Sequence, residues 1–439
     1  MREMKDTGIE WLSKIPLNWS ITKAKYVFKQ RNEKGNKISL RLLSPTQRFG
    51  VIPQDEYEEL TGMKAVKLNE KTDYSLLKTI HKGDYCISLR SFQGGFEYSE
   101  YEGVVSPAYQ VFFSYIPIER RFFKYIFKDQ SFIEKMNSFT LSLRDGKNIA
   151  FDDFGNSYIP IPPFYEQQKI ADFLDQKCSE IDALTADIQA QIETLEEYKK
   201  SVITEAVTKG LDPNVEMKDS GVEWIGKIPK GWKVGRIKNI ISILTDYTAN
   251  GSFADLARNV SYIDFEGFAR LVRLTDLRSD LNNSDAVYVS EYSYEYLSKS
   301  KLFGNEILIA NVGAYAGLFC LMPVNKGLCT LGPNMFLLRT NSKMTFKYFY
   351  YTGHSKFVEE QLLHKSQSTA QPKLNKYDVK STYIIIPSIE EQQVITDFLD
   401  QKCSEIDQTI SEKQQQLETL AEYKKSLIYE YVTGKKEVA

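Results

Sequence analysis

The chain has 439 residues, 42% of them hydrophobic and 13% aromatic, and its net charge is −2. That length suggests two to four domains, and so apolar a composition excludes an intrinsically disordered chain. Five scattered cysteines without a CxxC pair and only three histidines (His81, His354, His364) argue against a disulfide framework, a zinc site or a multi-histidine centre.

No run approaches the ~20 apolar residues of a bilayer span, and the opening MREMKDTGIEW lacks the apolar core of a signal peptide, so a cytoplasmic location is expected.

The chain opens on residues 4–19 (MKDTGIEWLSKIPLNW), which bring together Trp11, Ile15, Pro16 and Trp19. Such an aromatic and proline cluster usually anchors a domain onto its neighbour. Short strands, turns and some helix follow. Residues 85–90 alternate, with Cys86, Ser88 and Arg90 on one face and Tyr85, Ile87 and Leu89 on the other, before a turn at Gly94 and Gly95. Phe, Tyr and Ile at helical spacing predict helix over 120–137. Residues 1–165 read as a mixed α/β module.

Residues 166–210 read as one long helix. Leu174, Ile181, Ile188, Leu195 and Val202 recur every seven residues, with Leu184, Ile192 and Tyr198 on the same face. Pro162 and Pro163 precede the helix, and Gly210 and Pro213 end it. A 3.5-residue period sustained over several heptads is a coiled-coil seam.

The chain then repeats itself. Residues 217–232 match residues 4–19 at 10 of 16 positions, and residues 391–435 match residues 166–210 at 29 of 45. The second helix, residues 391–439, keeps Leu399, Ile406, Leu420 and Leu427 at the seam, with Ile410, Leu417 and Tyr423 beside them. Lys413 stands where the first helix has Ile188. Ser388 and Glu391 have capping-box spacing. Two long helices with matching narrow apolar stripes are expected to pair antiparallel if a two-fold axis relates the halves.

Between these copies, residues 211–390 carry a second mixed α/β module, with alternation at 270–274 and helix expected over 345–363. The modules align only in fragments, such as residues 82–95 with 304–317, and Ser106 and Pro107 with Gly332 and Pro333. Residues 1–165, 166–210, 211–390 and 391–439 carry net charges of +4, −5, +3 and −4. The modules are mildly basic and the helices acidic.

Basic and amide side chains on loops beside strand ends suit the reading of DNA edges. Arginine holds guanine, Asn and Gln hold adenine, and lysine positions phosphates. The candidates are Arg41, Gln47, Arg48, Arg90, Gln93, Arg144, Lys147 and Asn148 in the first module, and Arg270, Arg273, Arg278, Asn311, Gln367, Ser368, Gln371 and Lys373 in the second. No phosphate loop, HExxH or GxSxG motif is present, and no catalytic or metal residues are assigned.

With its IPxxW entries at 15–19 and 228–232, its helix openings IPPFYEQQKIADFLD and IPSIEEQQVITDFLD, the strand starts at Asp84 and Glu306, and Ser106–Pro107, the whole chain resembles the specificity subunit of a type I restriction-modification enzyme. The resemblance implies two target recognition domains, each reading half of a split DNA site, joined by two antiparallel coiled-coil helices in a pseudo-two-fold repeat. It implies no cofactor in this chain. Two modification subunits would bring S-adenosylmethionine and methylate adenine, and restriction subunits would bring ATP and Mg. Two departures fall in the second module, where Gly332–Pro333 replaces Ser-Pro and Asn305–Glu306 replaces Gly83–Asp84. The competing expectation is a non-catalytic scaffold whose modules bind proteins or glycans.

Overall fold

The computed structural model describes every residue except 1, 36–39, 64–73, 89–94, 140–148, 223, 368–370 and 439. The chain divides into two compact units, one of residues 1–189 with 414–439 and one of residues 190–413. Each unit therefore takes part of both long helices.

In the first unit the entry block forms an antiparallel hairpin, Met4–Ile9 with Leu12–Pro16. Ser20–Lys23 then pairs with Tyr158–Ile161. The centre is an antiparallel sheet in the order Phe28–Gln30, Gln110–Ser114, Tyr85–Ile87, Phe96–Tyr98. The expected alternation at 85–87 is present, but both faces are covered. Tyr85 and Ile87 enter an aromatic core around Phe28, Phe112, Phe127 and Phe154, whereas Cys86 packs with Leu43, Val51, Ile80, Val105 and Val111. The Cys86 face is thus core rather than reading surface.

The second unit repeats this sheet in the same order, Ile241–Asp246, Met335–Thr340, Ile307–Ala310, Phe319–Leu321. It adds a five-stranded sheet containing Ala269–Val272 and Cys329–Leu331 as a parallel pair. The helices expected over 120–137 and 345–363 each break in two, into Arg120–Ile126 and Gln130–Ser138, and into Phe346–Gly353 and Lys356–Ser366. In the first module the break falls where Asp129 caps a new helix by accepting from Phe132 N.

The long helices run Phe164–Lys209 and Ile389–Val432, 46 and 44 residues. At 1.5 Å per residue each is about 65–70 Å long. Within the first unit Leu174, Cys178 and Ile181 pack with Leu427, Ile428 and Val432, and Asp182 pairs with Lys424 at 2.6 Å. Within the second, Ile203, Ala206 and Val207 pack with Ile395, Leu399 and Cys403; Lys199 pairs with Asp407 at 2.6 Å and Lys413 Nζ donates to Gln191 at 2.5 Å. Partners late on one helix meet partners early on the other, so each stretch is antiparallel.

Leu174, Ile181, Ile188, Leu399, Ile406 and Leu427 are buried, whereas Leu195, Val202 and Leu420 are only half-buried. Leu184, Tyr198 and Tyr423, placed by spacing on the same face, are exposed at 47%, 48% and 53%. A helix with 3.6 residues per turn drifts against a seven-residue repeat, and the modules cover a different stripe near the ends, burying Ile170, Ala171, Ala206 and Val207 instead.

Among the described residues no helix is long and apolar enough to cross a membrane.

Candidate nucleic-acid interface

The repeated motifs act as fasteners between each module and its helix. Trp19 Nε1 donates to Glu166 at 2.8 Å, and Trp232 Nε1 donates to Glu391 at 2.9 Å. Burial would raise both carboxyls, yet Arg2, Trp19 and Asn18 around Glu166, and Trp232 and Ser388 around Glu391, hold them below the usual carboxylate range. The next residue performs the second half of the task. Gln167 accepts from Glu119 N and donates to the Pro162 carbonyl; Gln392 accepts from Thr345 N and donates to the carbonyls of Lys343 and Pro387. The doubled Glu-Gln was visible in the sequence, but its partners lie up to 159 residues away. A third fastener was missed outright: Tyr125 donates to Asp175 at 2.6 Å, and Tyr351 to Asp400 at 2.7 Å. Its signal was the word FLDQKCSEID, repeated unchanged.

The two departures in the second module leave this scaffold intact. Asp84 is buried, accepts from His81 N at 3.0 Å and pairs with Arg31 at 2.6 Å. Glu306 is equally buried, accepts from Phe303 N and Gly304 N at 2.9 and 2.8 Å, and pairs with Arg339 at 3.0 Å. The preceding residues, Gly83 and Asn305, have φ of 89° and 65°, a left-handed conformation that glycine and asparagine adopt most readily. Both acids therefore lock the turn that starts the central strand, from which a loop leads toward the candidate readers.

In the second module that loop is stitched to another. Gly313 N donates to the Pro372 carbonyl, Leu374 N to the Asn311 carbonyl, and Lys373 N to the Ser366 carbonyl, at 2.9, 2.9 and 3.2 Å. Asn311, Gln371 and Lys373 are thereby brought together, with Gln367 at the end of the adjoining helix. Arg278 joins them, its guanidinium 4.4 Å from the ring of Tyr315, which is 50% exposed and was not singled out from the sequence. Asn311 Oδ1 is buried and accepts no hydrogen bond among the described residues. Ser368 lies outside the described residues.

Arg270 and Arg273 stand elsewhere. Arg270 is buried and donates to the Leu281 carbonyl and Asn283, while Arg273 is bound to Asp276 and Asp285. The strand that carries Arg270 is covered on both faces by Leu271 and Val272 packing into separate clusters, and Arg273 caps the short helix that follows, so the two guanidiniums brace the residues from Asp276 to Asp285.

In the first module Arg90, Gln93, Arg144, Lys147 and Asn148 lie outside the described residues. Ile149 and Phe151 are held by Gln110, which donates to the Ile149 carbonyl at 3.0 Å and accepts from Phe151 N at 2.8 Å. Gln47 and Arg48 sit exposed on the turn between Leu43–Thr46 and Gly50–Pro53, with Arg48 over Phe49. Arg41 is paired with Asp55 and Glu56.

Lys128 ties this turn to the sheet, reaching both oxygens of Glu97 at 2.7 Å and the Gln47 carbonyl at 3.5 Å. Burial pushes Glu97 up to about 7 against the pull of Lys128. Between the ordinary value of 4.5 and about 7 the folded protein holds a proton that the unfolded chain has released. Stability of the first unit is therefore expected to fall as pH rises through that window. Thermal unfolding across this range should show the decline in wild type and a flatter profile in Glu97→Gln.

Comparison with known proteins adds to this geometry. The family model for the type I restriction modification DNA specificity domain matches residues 21–194 and again residues 229–419. The type I restriction enzyme MjaVIII specificity subunit of Methanocaldococcus jannaschii is 26% identical over 307 residues, covering 68% of this chain and 67% of that protein. The EcoBI specificity subunit of Escherichia coli is 24% identical over 270 residues, covering 58% and 53%. A chain solved in a study of complex assembly and conformational transition of the type I R-M system has the same fold, with a TM-score of 0.68 at 14% identity over 95% of this chain and 98% of that one.

Proposed function

Since the chain belongs to the type I restriction modification DNA specificity domain family, we propose that its two modules read the two halves of a split, asymmetric duplex site for a restriction-modification complex. One observation carries this reading. The two modules share a sheet order and a set of fasteners, yet the sequences between these shared parts align only in fragments. A common scaffold with unlike sequences between its parts suits two different half-sites. A strictly symmetric dimer would read a palindrome.

Of the described candidates, Asn311, Gln371, Lys373, Gln367 and Arg278 with Tyr315 form the reading surface of the second module, and Gln47 and Arg48 contribute in the first. The acidic helices serve as the dock for two modification subunits, which supply S-adenosylmethionine and the adenine methyl transfer. Restriction subunits supply ATP and Mg chemistry. This chain contributes specificity and no reaction centre of its own.

The test exchanges residues 20–157 for the equivalent module of another family member and maps methylated adenines in DNA treated with the chain and its modification subunits. One half-site should change and the other persist. Alteration of both would overturn the assignment of one half-site to each module.

A further inference from the structure

The edge of the first module carries a surface outside all the candidate readers. Lys23, Lys25 and Lys29 each hold their ammonium over a tyrosine, at 5.6 Å from the ring of Tyr158, 5.7 Å from Tyr26 and 4.3 Å from Tyr115. All three rings are exposed, at 45%, 59% and 41%. Tyr115 OH donates to the Lys25 carbonyl at 3.3 Å, and Lys25 Nζ donates to Asn156 at 2.9 Å, so at least two of these pairs adjoin. Lys23 is the Cα partner of Tyr158 on the neighbouring strand pair. Among the described residues none of the three lysines forms an ion pair with a carboxylate. A lysine resting on a ring keeps its charge and has less rotamer freedom to lose when an anion arrives.

The second module keeps two of this strip's three positive charges and one of its three tyrosines. Backbone pairing sets the correspondence, since Tyr115 N donates to the Val27 carbonyl and Asn341 N to that of Ile240. The positions of Tyr26, Lys29 and Tyr115 are then Asn239, Ser242 and Asn341, whereas those of Lys23 and Lys25 are the basic Arg236 and Lys238. One pair remains, Arg236 over Tyr383 at 4.9 Å, where the arginine is also hydrogen-bonded to the tyrosine hydroxyl.

The strip is joined through one short helix to the residues that follow Arg144, Lys147 and Asn148 in the chain. Helix Phe151–Asn156, about 9 Å long at 1.5 Å per residue, runs from Phe151, whose N–H donates to Gln110, to Asn156 beside Lys25. That distance is less than the width of a duplex.

We propose that Lys23, Lys25 and Lys29, with their tyrosines, grip the phosphate backbone beside the first half-site without regard to base sequence. This rests on the DNA-reading function proposed above. Ammonium groups match phosphodiester oxygens, and contacts of this kind position a protein without reading bases.

Each phosphate neutralised steepens the fall of log Kobs with log salt by about 0.9. The full chain is titrated onto a labelled random-sequence duplex of about 40 base pairs, between about 50 and 300 mM NaCl. The variant K23Q/K25Q/K29Q should show a slope shallower by roughly 2 to 3, while K23R/K25R/K29R keeps the wild-type slope. With modification subunits added, the glutamine variant should methylate the same sequence as wild type. A steep slope unchanged by the glutamine substitutions would overturn the strip's role while leaving the DNA-reading function standing. So would an unchanged slope with weakened subunit assembly in the absence of DNA, which would mark an acidic protein as the occupant. Failure of wild type itself to bind any duplex would overturn both.

Discussion

Inserting four residues after Gln189, with four more after Gln416 on the second long helix, should widen the gap between the two half-sites by one or two base pairs while leaving both half-sites unchanged. Four residues add about 6 Å of helix and turn it roughly 40° beyond a full turn, so the apolar stripe stays close to its original face. A base pair rises about 3.4 Å, which sets the size of the change. The insertion must be made in both helices for a physical reason. The Asp182–Lys424 pair lies on one side of these positions, and the Gln191–Lys413 and Lys199–Asp407 contacts lie on the other. Lengthening one helix alone forces one set of contacts to slip by a turn. Lengthening both preserves all of them. Selection of bound DNA from a random pool, with modification subunits present, reads the gap directly. An unchanged gap would show that the helices do not set the spacing.

Replacing Trp19 by alanine should destabilise the first unit by about 3 to 5 kcal/mol, as truncation of a buried tryptophan commonly does. The ring is 1% exposed, meets Phe122 edge-on at 6.1 Å and donates to Glu166. It also lies against the end of the second long helix. There Gly434 has φ of 71°, and a Cβ in its place would stand 2.5 Å from Pro16 and 3.1 Å from Trp19. Trp232 holds the same place in the second unit, donating to Glu391 and facing Gly210. With two compact units, unfolding is not expected to be a single two-state step. Calorimetry should therefore show Trp19→Ala lowering one transition and Trp232→Ala lowering the other. A uniform loss in both transitions from either substitution would mean that the fasteners do not act locally.

Much of this architecture was legible along the chain because it depends on local, repeated chemistry. The seven-residue spacing of Leu174, Ile181 and Ile188 announces a long helix with a narrow stripe, since helical period alone decides which residues share a face. Near-identity of residues 166–210 and 391–435 announces a duplicated scaffold, and the capping and glycine signals place its ends within a few residues of Phe164–Lys209 and Ile389–Val432.

The reading surface was not decidable in that way. Arg270 and Arg278 are eight residues apart and alike in sequence, yet one is buried against Leu281 and Asn283 while the other lies over an exposed tyrosine. Charge does not say whether a guanidinium faces water or a carboxylate; only long-range packing does. The same holds for Asp84 and Glu306, whose common task emerges when strands distant in the chain bring Arg31 and Arg339 beside them. Periodicity is a property of neighbours, so the rods and the repeat could be read from order alone. The choice between bracing and reading depends on what a side chain meets across a fold, and tertiary contacts alone settle that.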